Sequence, residues 1–298
     1  MTRTPGPPSA VRMDRLSTDD IRHLKARGVP IVMVTAYDFN TASIADAAGA
    51  DIVLVGDSAA MTMLGYESTR SVSLDEMLML TRAVHRGLTH PLLVGDLPFG
   101  SYERSDAQAL ATAARFVEAG CDAVKLEGGS AERVARARAL IAKSISVMGH
   151  VGLTPQSTGE GAAFRVHGRR AEDAVEILDA ARALQDAGCF AIVFEAVPAA
   201  VAALLVPLIT VPVIGIGAGA GTDGQVLVFD DLVGLSHGHS ARFVKRYAEI
   251  RAQMVSAVEQ YGAEVRARSF PAPEHQYPVN ADELQRLRVL LSSEQRKA

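Results

Sequence analysis

Four acidic residues of the chain each follow a short apolar run. Asp57 follows IVLVG, Asp96 follows LLVG, Glu127 follows AVKL and Glu195 follows AIVF. Such runs are too short for helices and are typical of strands buried on both faces, so each acid marks the point where a strand leaves the core. In a barrel of parallel strands the carboxyl ends meet at one face, where such barrels carry their chemistry. We therefore expect the four carboxylates to converge.

Four like charges in one cleft require compensation, either by protonation or by a cation among them. Asp57 and Asp96, on adjacent strands, suit an octahedral Mg²⁺ that keeps several waters. Glu127 is a third candidate metal ligand, or it orients a metal-bound water from behind. The alternative is that the two Asp residues cap the helices that follow them. We prefer the metal site because both Asp residues belong to one barrel mouth.

Three further side chains are candidates for chemistry near these strand ends. Lys125 alternates with Glu127, so both face the same side of their strand. A buried Lys needs an acidic partner such as Glu127, or it holds a carboxylate of the substrate. His150, at the end of the fifth predicted strand, either binds a ligand or is a structural donor. Glu195 is the candidate general base, and its alternative is a core Glu paired with an Arg of a nearby loop.

A glycine precedes three of the acid-ended strands. Gly49, Gly120 and Gly188 each end an amphipathic segment and suit the left-handed position that follows a helix C-terminus. The repeated order of helix, glycine, strand and acid predicts alternating helices and strands along the whole chain. Eight strands are predicted in this way, so the fold class is α/β and the architecture a (βα)₈ TIM barrel.

The predicted organisation is a single catalytic domain with two extensions. Residues 1–16 are rich in Pro, Gly and Arg and predict a mobile arm. The barrel is expected over residues 17–270, with an N-terminal capping helix over Asp19–Arg27 and a last helix over Ala241–Tyr261. Residues 271–298 form a polar, Pro-containing tail.

The composition of the 298 residues narrows the function classes. Aromatic residues make up 5% and Trp is absent, which argues against a stacking platform for bases. A net charge of −4 argues against a nucleic-acid partner. Cys121 and Cys189 follow helix-ending glycines and are predicted to be buried free thiols. No apolar run reaches about 18 residues and the first ten lack a signal peptide's apolar segment, so a cytoplasmic location is expected.

Two glycine-rich stretches come at the ends of predicted strands. Residues 151–170, VGLTPQSTGEGAAFRVHGRR, are long and without periodicity, which predicts a functional lid or substrate loop. GIGAG at 215–219 lacks GxGxxG spacing and does not support a nucleotide site. We expect it to provide close backbone approach at the barrel mouth.

Taken alone, these residues predict a Mg²⁺-assisted enzyme that acts on a small, oxygen-rich anion. The class of reaction is less determined. A metal that binds the keto and carboxylate oxygens of a 2-oxo acid would stabilise an enolate, and a nearby Glu would take the proton beside the carbonyl.

Eight segments of the chain resemble, in order, those of the ketopantoate hydroxymethyltransferase family. They are VTAYDF at 34–39, LVGDSAAMTMLGYEST at 54–69, GDLPFGSY at 95–102, VKLEGG at 124–129, GHVGLTPQS at 149–157, VHGR at 166–169, FEAVP at 194–198, and GIGAG with DGQVLV between 215 and 228. The resemblance covers about residues 17–270. Leu80, Thr112, Ser240 and Ala241 depart from the family's usual residues, but none belongs to the four carboxylates.

The resemblance implies a barrel of the phosphoenolpyruvate/pyruvate type, a cytoplasmic homodecamer, and transfer of a hydroxymethyl group from 5,10-methylenetetrahydrofolate to 3-methyl-2-oxobutanoate. The product would be 2-dehydropantoate, for pantothenate synthesis. By the family's motifs, Asp57 and Asp96 would hold Mg²⁺ with Glu127 nearby. Ser58 and Lys125 would hold the oxo acid, with Glu195 as the base and His150 lining the site.

Two competing functions follow from the same sequence. A Mg²⁺-dependent lyase or mutase of the same barrel group would act on a 2-oxo acid or a phosphonate without folate. A catalytically silent barrel would serve as an oligomeric scaffold, but a scaffold has no reason to keep a charged mouth.

Overall fold

Strands and helices alternate along the chain as the sequence pattern predicts. The computed structural model describes residues 15–157, 166–236 and 241–294. Each strand pairs in parallel with the next, and the last pairs with the first, so the sheet closes into a TIM barrel. The strands are β1 (Ile31–Thr35), β2 (Ile52–Val55), β3 (Leu92–Asp96), β4 (Ala123–Lys125), β5 (Ser146–Gly152), β6 (Ala191–Glu195), β7 (Val213–Ile216) and β8 (Gly224–Leu227).

Eleven α-helices occur within the described ranges, most of them between consecutive strands. They are α1 (Thr18–Ala26), α2 (Phe39–Ala47), α3 (Ala59–Thr62), α4 (Leu74–Gly87), α5 (Asp106–Glu118), α6 (Ala131–Ile141), α7 (Ala171–Asp186), α8 (Ala199–Leu205), α9 (Phe229–Leu232), α10 (Ile250–Arg266) and α11 (Ala281–Glu294). Gly49, Gly120 and Gly188 follow α2, α5 and α7 with φ of 77°, 107° and 104°, so the predicted left-handed positions are confirmed.

The alternation of side chains along each strand divides the core into two clusters. Outward-facing residues pack against the helices, and Gly95 shows how closely: an added Cβ would lie 2.4 Å from the Phe116 ring. Inward-facing residues form a second cluster inside the barrel. It includes Ile31, Met33, Ile52, Leu54, Leu92, Val94, Ala123, Met148, Ala191, Val193, Ile214 and Val226. The barrel is therefore filled rather than hollow.

Some boundaries differ from the sequence predictions. β5 continues to Gly152, so His150 lies within the strand instead of at its end. The last long helix covers Ile250–Arg266 rather than Ala241–Tyr261, and no residue of it is buried. The later start has a hydrogen-bond reason: the Tyr247 backbone N–H donates to the Leu232 carbonyl at 2.8 Å and not to the carbonyl of Phe243, as an α-helix would require.

The chain divides into two compact units, residues 1–248 and 249–298. In the first unit, α1 buries Ile21 among the inward-facing residues of the barrel, while its role as a cap stays a prediction. The second unit contains α10 and α11. The predicted domain boundaries at 16 and 270 also stay predictions. Among the described residues, no helix is both long and apolar enough to cross a membrane.

The predicted thiols and the departures from the family pattern can be located. Cys121 and Cys189 are buried and free, as expected. Leu80 is buried in the outer cluster, and the Thr112 hydroxyl donates a 2.6 Å hydrogen bond to the Ser101 carbonyl. Ala241 is exposed, and Ser240 lies outside the described residues.

Candidate active site

The register of neighbouring strands places Asp96 of β3 beside Lys125 of β4. Lys125 Nζ lies 2.6 Å from Asp96 Oδ2, and both side chains are almost completely buried. The expected acidic partner of Lys125 is therefore present, but it is Asp96 more than Glu127, whose Oε1 lies 3.9 Å away. Burial by itself would lower the pKa of Lys125, but Asp96 and Glu127 outweigh it and raise that pKa, so the ammonium stays charged.

His150 lies between two of the four carboxylates. Its Nδ1 is 3.4 Å from Glu127 Oε1 and its Nε2 is 3.2 Å from Glu195 Oε2. Both are ion-pair distances without the geometry of a hydrogen bond, since neither ring nitrogen has a hydrogen-bond partner. Burial opposes the charged ring, but the two carboxylates prevail and raise the pKa of His150 to about 9. The ring is therefore an imidazolium at neutral pH.

Glu195 differs from the other acids in its access to the cleft. Its side chain is 17% exposed, whereas that of Glu127 is 2% exposed. Its partner among the described residues is His150, not an Arg of the glycine-rich loop, although residues 158–165 of that loop lie outside the described part. An accessible carboxylate beside a cation can reach a substrate, which is the geometry a general base requires.

Asp57 follows β2 and lies close to Asp96. Its backbone N–H donates to Asp96 Oδ2 at 3.4 Å, and its own Oδ2 accepts from Gln156 Nε2 at 3.1 Å. Burial, then Asp96 and Glu127, raise the pKa of Asp57 well above its usual range. The residues at the N-caps of α3 and α5 are Ser58 and Ser105. The alternative that Asp57 and Asp96 are helix caps therefore finds no support.

The charge of this cluster fits a divalent cation. Burial raises the pKa of both Asp57 and Asp96, and nearby acids add to the shift. A divalent cation beside these carboxyls would favour their ionised forms. Asp96 Oδ1 is buried and has no hydrogen-bond partner, as expected for an oxygen available to a metal. Within the described ranges, however, no three His, Cys, Asp or Glu side chains are arranged as a metal site. The protein would thus supply few ligands and water the rest, which is how Mg²⁺ is commonly held.

The oxygens of Glu127 are already engaged by the protein. Oε2 accepts from the Gln156 backbone N–H at 3.0 Å, and Oε1 faces His150 and Lys125. Although burial raises its pKa, His150 and Lys125 more than compensate and lower it. This favours a place behind the metal for Glu127, and its role as a direct ligand remains a prediction.

Ser58 opens α3, directly after Asp57. Its Oγ lies 2.8 Å from the hydroxyl of Tyr37, a buried residue that follows β1. Burial raises the pKa of Tyr37 to about 12, so the phenol keeps its proton. Ser58 thus has an ordered hydroxyl beside the candidate metal site, and its contact with substrate stays a prediction.

Sequence reasoning missed several polar residues of the site. Tyr37, Tyr102 and Gln156 are buried and hydrogen-bonded among the predicted residues. Asp230, just after β8, is also buried, and burial raises its pKa. Tyr37, Tyr102 and Gln156 lie in the family-like segments, which was their only signal. At GIGAG, an added Cβ on Gly219 would lie 2.4 Å from Ala199, which confirms the predicted close approach.

The sequence matches a model of one protein family. The family is described as ketopantoate hydroxymethyltransferase, and the match covers residues 15–273.

Several curated proteins are similar to the chain over most of its length. The 3-methyl-2-oxobutanoate hydroxymethyltransferase of Oleidesulfovibrio alaskensis is 53% identical over 86% of this chain and 89% of its own. The protein of the same name from Mycobacterium avium is 51% identical over 88% of this chain and 91% of its own. The mitochondrial 3-methyl-2-oxobutanoate hydroxymethyltransferase 1 of Arabidopsis thaliana is 47% identical over 94% and 82%.

Solved structures of more distant proteins share the fold. Phosphonopyruvate hydrolase in complex with oxalate and Mg²⁺ superposes with a TM-score of 0.58 at 14% identity, covering 94% of this chain and 99% of the other. 2,3-dimethylmalate lyase, a member of the PEP mutase/isocitrate lyase superfamily, gives 0.51 at 14% identity over 94% and 97%. At this identity the likeness concerns the barrel alone.

Proposed function

Because the chain belongs to the ketopantoate hydroxymethyltransferase family, we propose that it transfers a hydroxymethyl group from 5,10-methylenetetrahydrofolate to 3-methyl-2-oxobutanoate. The product is 2-dehydropantoate, a precursor in pantothenate biosynthesis. The observation that carries the proposal is the buried cluster of opposite charges at the barrel mouth, which ends in one accessible carboxylate, Glu195. Such a cluster is costly for folding and useful for chemistry on an anion.

Asp57 and Asp96 are the residues that would hold Mg²⁺. The repulsion of Asp57 by Asp96 and Glu127 and the unpartnered Asp96 Oδ1 support this assignment. When bound, the ion supplies positive charge that stabilises negative charge developing on the keto oxygen of the oxo acid. Glu127 would lie behind the ion, with its Oε1 3.9 Å from Lys125 Nζ and 3.4 Å from His150 Nδ1.

Lys125 and Ser58 would orient the oxo acid. Lys125 keeps its charge through Asp96, and an ammonium at the base of the cleft attracts the substrate carboxylate. The Ser58 hydroxyl, held by Tyr37 at the start of α3, offers a hydrogen bond from the segment after β2. Two fixed donors, one at the end of β4 and one after β2, restrict the substrate to one orientation, and such restriction is a large part of catalysis.

Glu195 would remove the proton from C3 of the oxo acid. The C–H electron pair then forms the enolate, whose C3 attacks the methylene carbon carried by the folate. Both bonds from that carbon to folate nitrogens break, and water supplies the hydroxyl oxygen of the product. The two nitrogens take up the proton removed from C3 and one proton from water. His150, an imidazolium 3.2 Å from Glu195 Oε2, keeps the base oriented.

The alternative is a lyase or mutase reaction on a 2-oxo acid or phosphonate without folate. It is supported only by the distant structural neighbours. Their identity of 14% supports the barrel and not the chemistry. Relatives near 50% identity carry the hydroxymethyltransferase name instead.

A coupled assay tests the proposal. Purified protein with 3-methyl-2-oxobutanoate, 5,10-methylenetetrahydrofolate and Mg²⁺ should form 2-dehydropantoate, and EDTA should abolish turnover until Mg²⁺ is restored. Full activity in the stripped protein would overturn the metal assignment. If Mg²⁺ and the oxo acid bind while folate is neither bound nor consumed, the lyase or mutase reading replaces the transferase.

We extend the proposal to a homodecamer in the cytoplasm. Exposed apolar side chains recur at helical spacing on α10, at Met254, Val258, Tyr261 and Val265, which supports an assembly that covers them. Sedimentation velocity should give the mass of ten chains, and a monomer would contradict it. The cytoplasmic location can be checked by fractionation of cells, since the plant relatives bear a mitochondrial name.

A further inference from the structure

One residue joins four loops at the barrel mouth. Gln156 lies in a 3₁₀ turn, Pro155–Ser157, that follows β5, and it is buried. Its Nε2 donates to Asp57 Oδ2 at 3.1 Å and to the Leu97 carbonyl at 3.0 Å. Its backbone N–H donates to Glu127 Oε2 at 3.0 Å. The loops after β2, β3, β4 and β5 therefore meet at this residue.

The orientation of the Gln156 amide is determined by its neighbours. The Tyr102 hydroxyl donates to Gln156 Oε1 at 2.8 Å and accepts from the Glu127 backbone N–H at 3.2 Å. A flipped amide would place Oε1 against two acceptors, Asp57 Oδ2 and the Leu97 carbonyl, so only one orientation satisfies every partner. A directed chain of hydrogen bonds thus runs from Glu127 through Tyr102 and Gln156 to Asp57.

We propose that Gln156 is a positioning residue that selects which carboxylate oxygen of Asp57 faces the ion and the oxo acid. The Nε2 of Gln156 donates a hydrogen bond to Oδ2 of Asp57, so Oδ1 of Asp57 is the oxygen that remains to bind the ion. The same residue holds Glu127 through its backbone, so one short turn sets the positions of two acids. This inference rests on the proposed function and adds a specific residue to it.

The arrangement differs from that of a Gln that only fills space in a loop. An amide that only fills space could bond to any nearby polar groups. The Gln156 amide instead donates a hydrogen bond to the side chain of Asp57, a candidate metal ligand. Without that donor the Asp57 carboxylate is free to rotate, and Oδ2 is buried without a partner. Residues that hold metal ligands in this way typically contribute about 10- to 100-fold to metal affinity.

The test compares Mg²⁺ binding by calorimetry in EDTA-stripped proteins, without folate. Gln156→Met keeps the length of the side chain but has no donor, and we expect it to bind Mg²⁺ about 10- to 100-fold more weakly. Tyr102→Phe removes only the hydroxyl that fixes the amide and should weaken Mg²⁺ binding in the same direction by a smaller factor. KM for 3-methyl-2-oxobutanoate should rise in both variants.

Matched controls separate positioning from a general loss of structure. Tyr66→Phe removes the hydroxyl of an exposed residue that donates to Glu76 at 2.7 Å, and Gln108→Met removes an amide bonded to Gly100 and Arg104. Both controls should bind Mg²⁺ as the wild type does. Melting temperatures establish which variants are folded.

Wild-type affinity in a folded Gln156→Met variant would overturn the inference. If that variant fails to fold, unchanged affinity in Tyr102→Phe would overturn it instead, and so would equal losses in the controls. A wild-type protein that binds no Mg²⁺ would overturn the proposed function and this inference together, whereas normal wild-type binding with undiminished variants removes the inference alone.

Discussion

The lower and upper parts of the barrel interior are built by the same strands from opposite kinds of residue. On β3 the inward-facing residues are Leu92 and Val94 below and Asp96 above. On β4, Ala123 is followed by Lys125. The lower layers are a closed apolar core, while the upper layer is a network of buried charges. Height along one strand, in steps of two residues, decides whether a side chain stabilises the fold or serves the chemistry.

The two parts also differ in what they contribute to the free energy of folding. Burial of apolar side chains in the lower layers stabilises the barrel by about 1.5–3 kcal/mol for each large side chain. The upper layer adds no comparable stability, because each buried charge loses its hydration and only well-placed partners compensate for that loss. The apolar lower layers therefore supply the stability that offsets the cost of burying the charged layer. Substitutions at the two heights should affect stability and activity separately.

The largest effect is expected from a charge placed in the lower part. Val94→Asp moves a carboxylate one pleat below Asp96, into a fully buried position whose register partners are Leu54 and Ala123. No cation lies at that height among the described residues, so we expect a loss of about 4 kcal/mol or more and failure to fold. Circular dichroism and thermal unfolding measure the outcome.

Val94→Thr is the matched control because it keeps the shape of valine and adds only a hydroxyl. It should fold and lose about 1–3 kcal/mol, the cost of a buried hydroxyl without a full set of partners. If Val94→Asp were as stable as Val94→Thr, the lower interior would tolerate charge and the contrast between the two heights would fail.

A change in the upper layer should affect activity and spare stability. Glu195→Gln keeps the size and shape of the side chain but cannot accept a proton. Exchange of the C3 hydrogen of 3-methyl-2-oxobutanoate with deuterated water should slow by about 10²- to 10⁴-fold, with Mg²⁺ and oxo-acid binding retained. This exchange requires no folate, so NMR isolates proton abstraction from the transfer step.

The control for Glu195→Gln is Glu176→Gln, on the exposed side of α7, which should exchange at the wild-type rate. Wild-type exchange in Glu195→Gln would place the base elsewhere, with His150 as the next candidate at 3.2 Å. Slow exchange together with lost binding would make Glu195 a structural residue.

The local pattern of the sequence determined the barrel fold and the height along the strands at which the charged residues lie. Short apolar runs that end in acids, and glycines that follow helices, are properties of a few consecutive residues, and so they can be read without knowledge of the neighbours. Asp57, Asp96, Glu127 and Glu195 could be brought to one face for the same reason: every parallel strand points the same way. The family-like segments then narrowed the chemistry to one reaction.

Only the tertiary structure decided which charged side chains pair with each other. Lys125 pairs with Asp96 because the closed sheet sets those residues opposite each other, and His150 reaches both Glu127 and Glu195 because β5 extends further than its apolar run indicates. Gln156 joins Asp57, 99 residues away, across a turn with no periodic signal. The register between strands arises when all eight close into a ring, so no local stretch of sequence contains it.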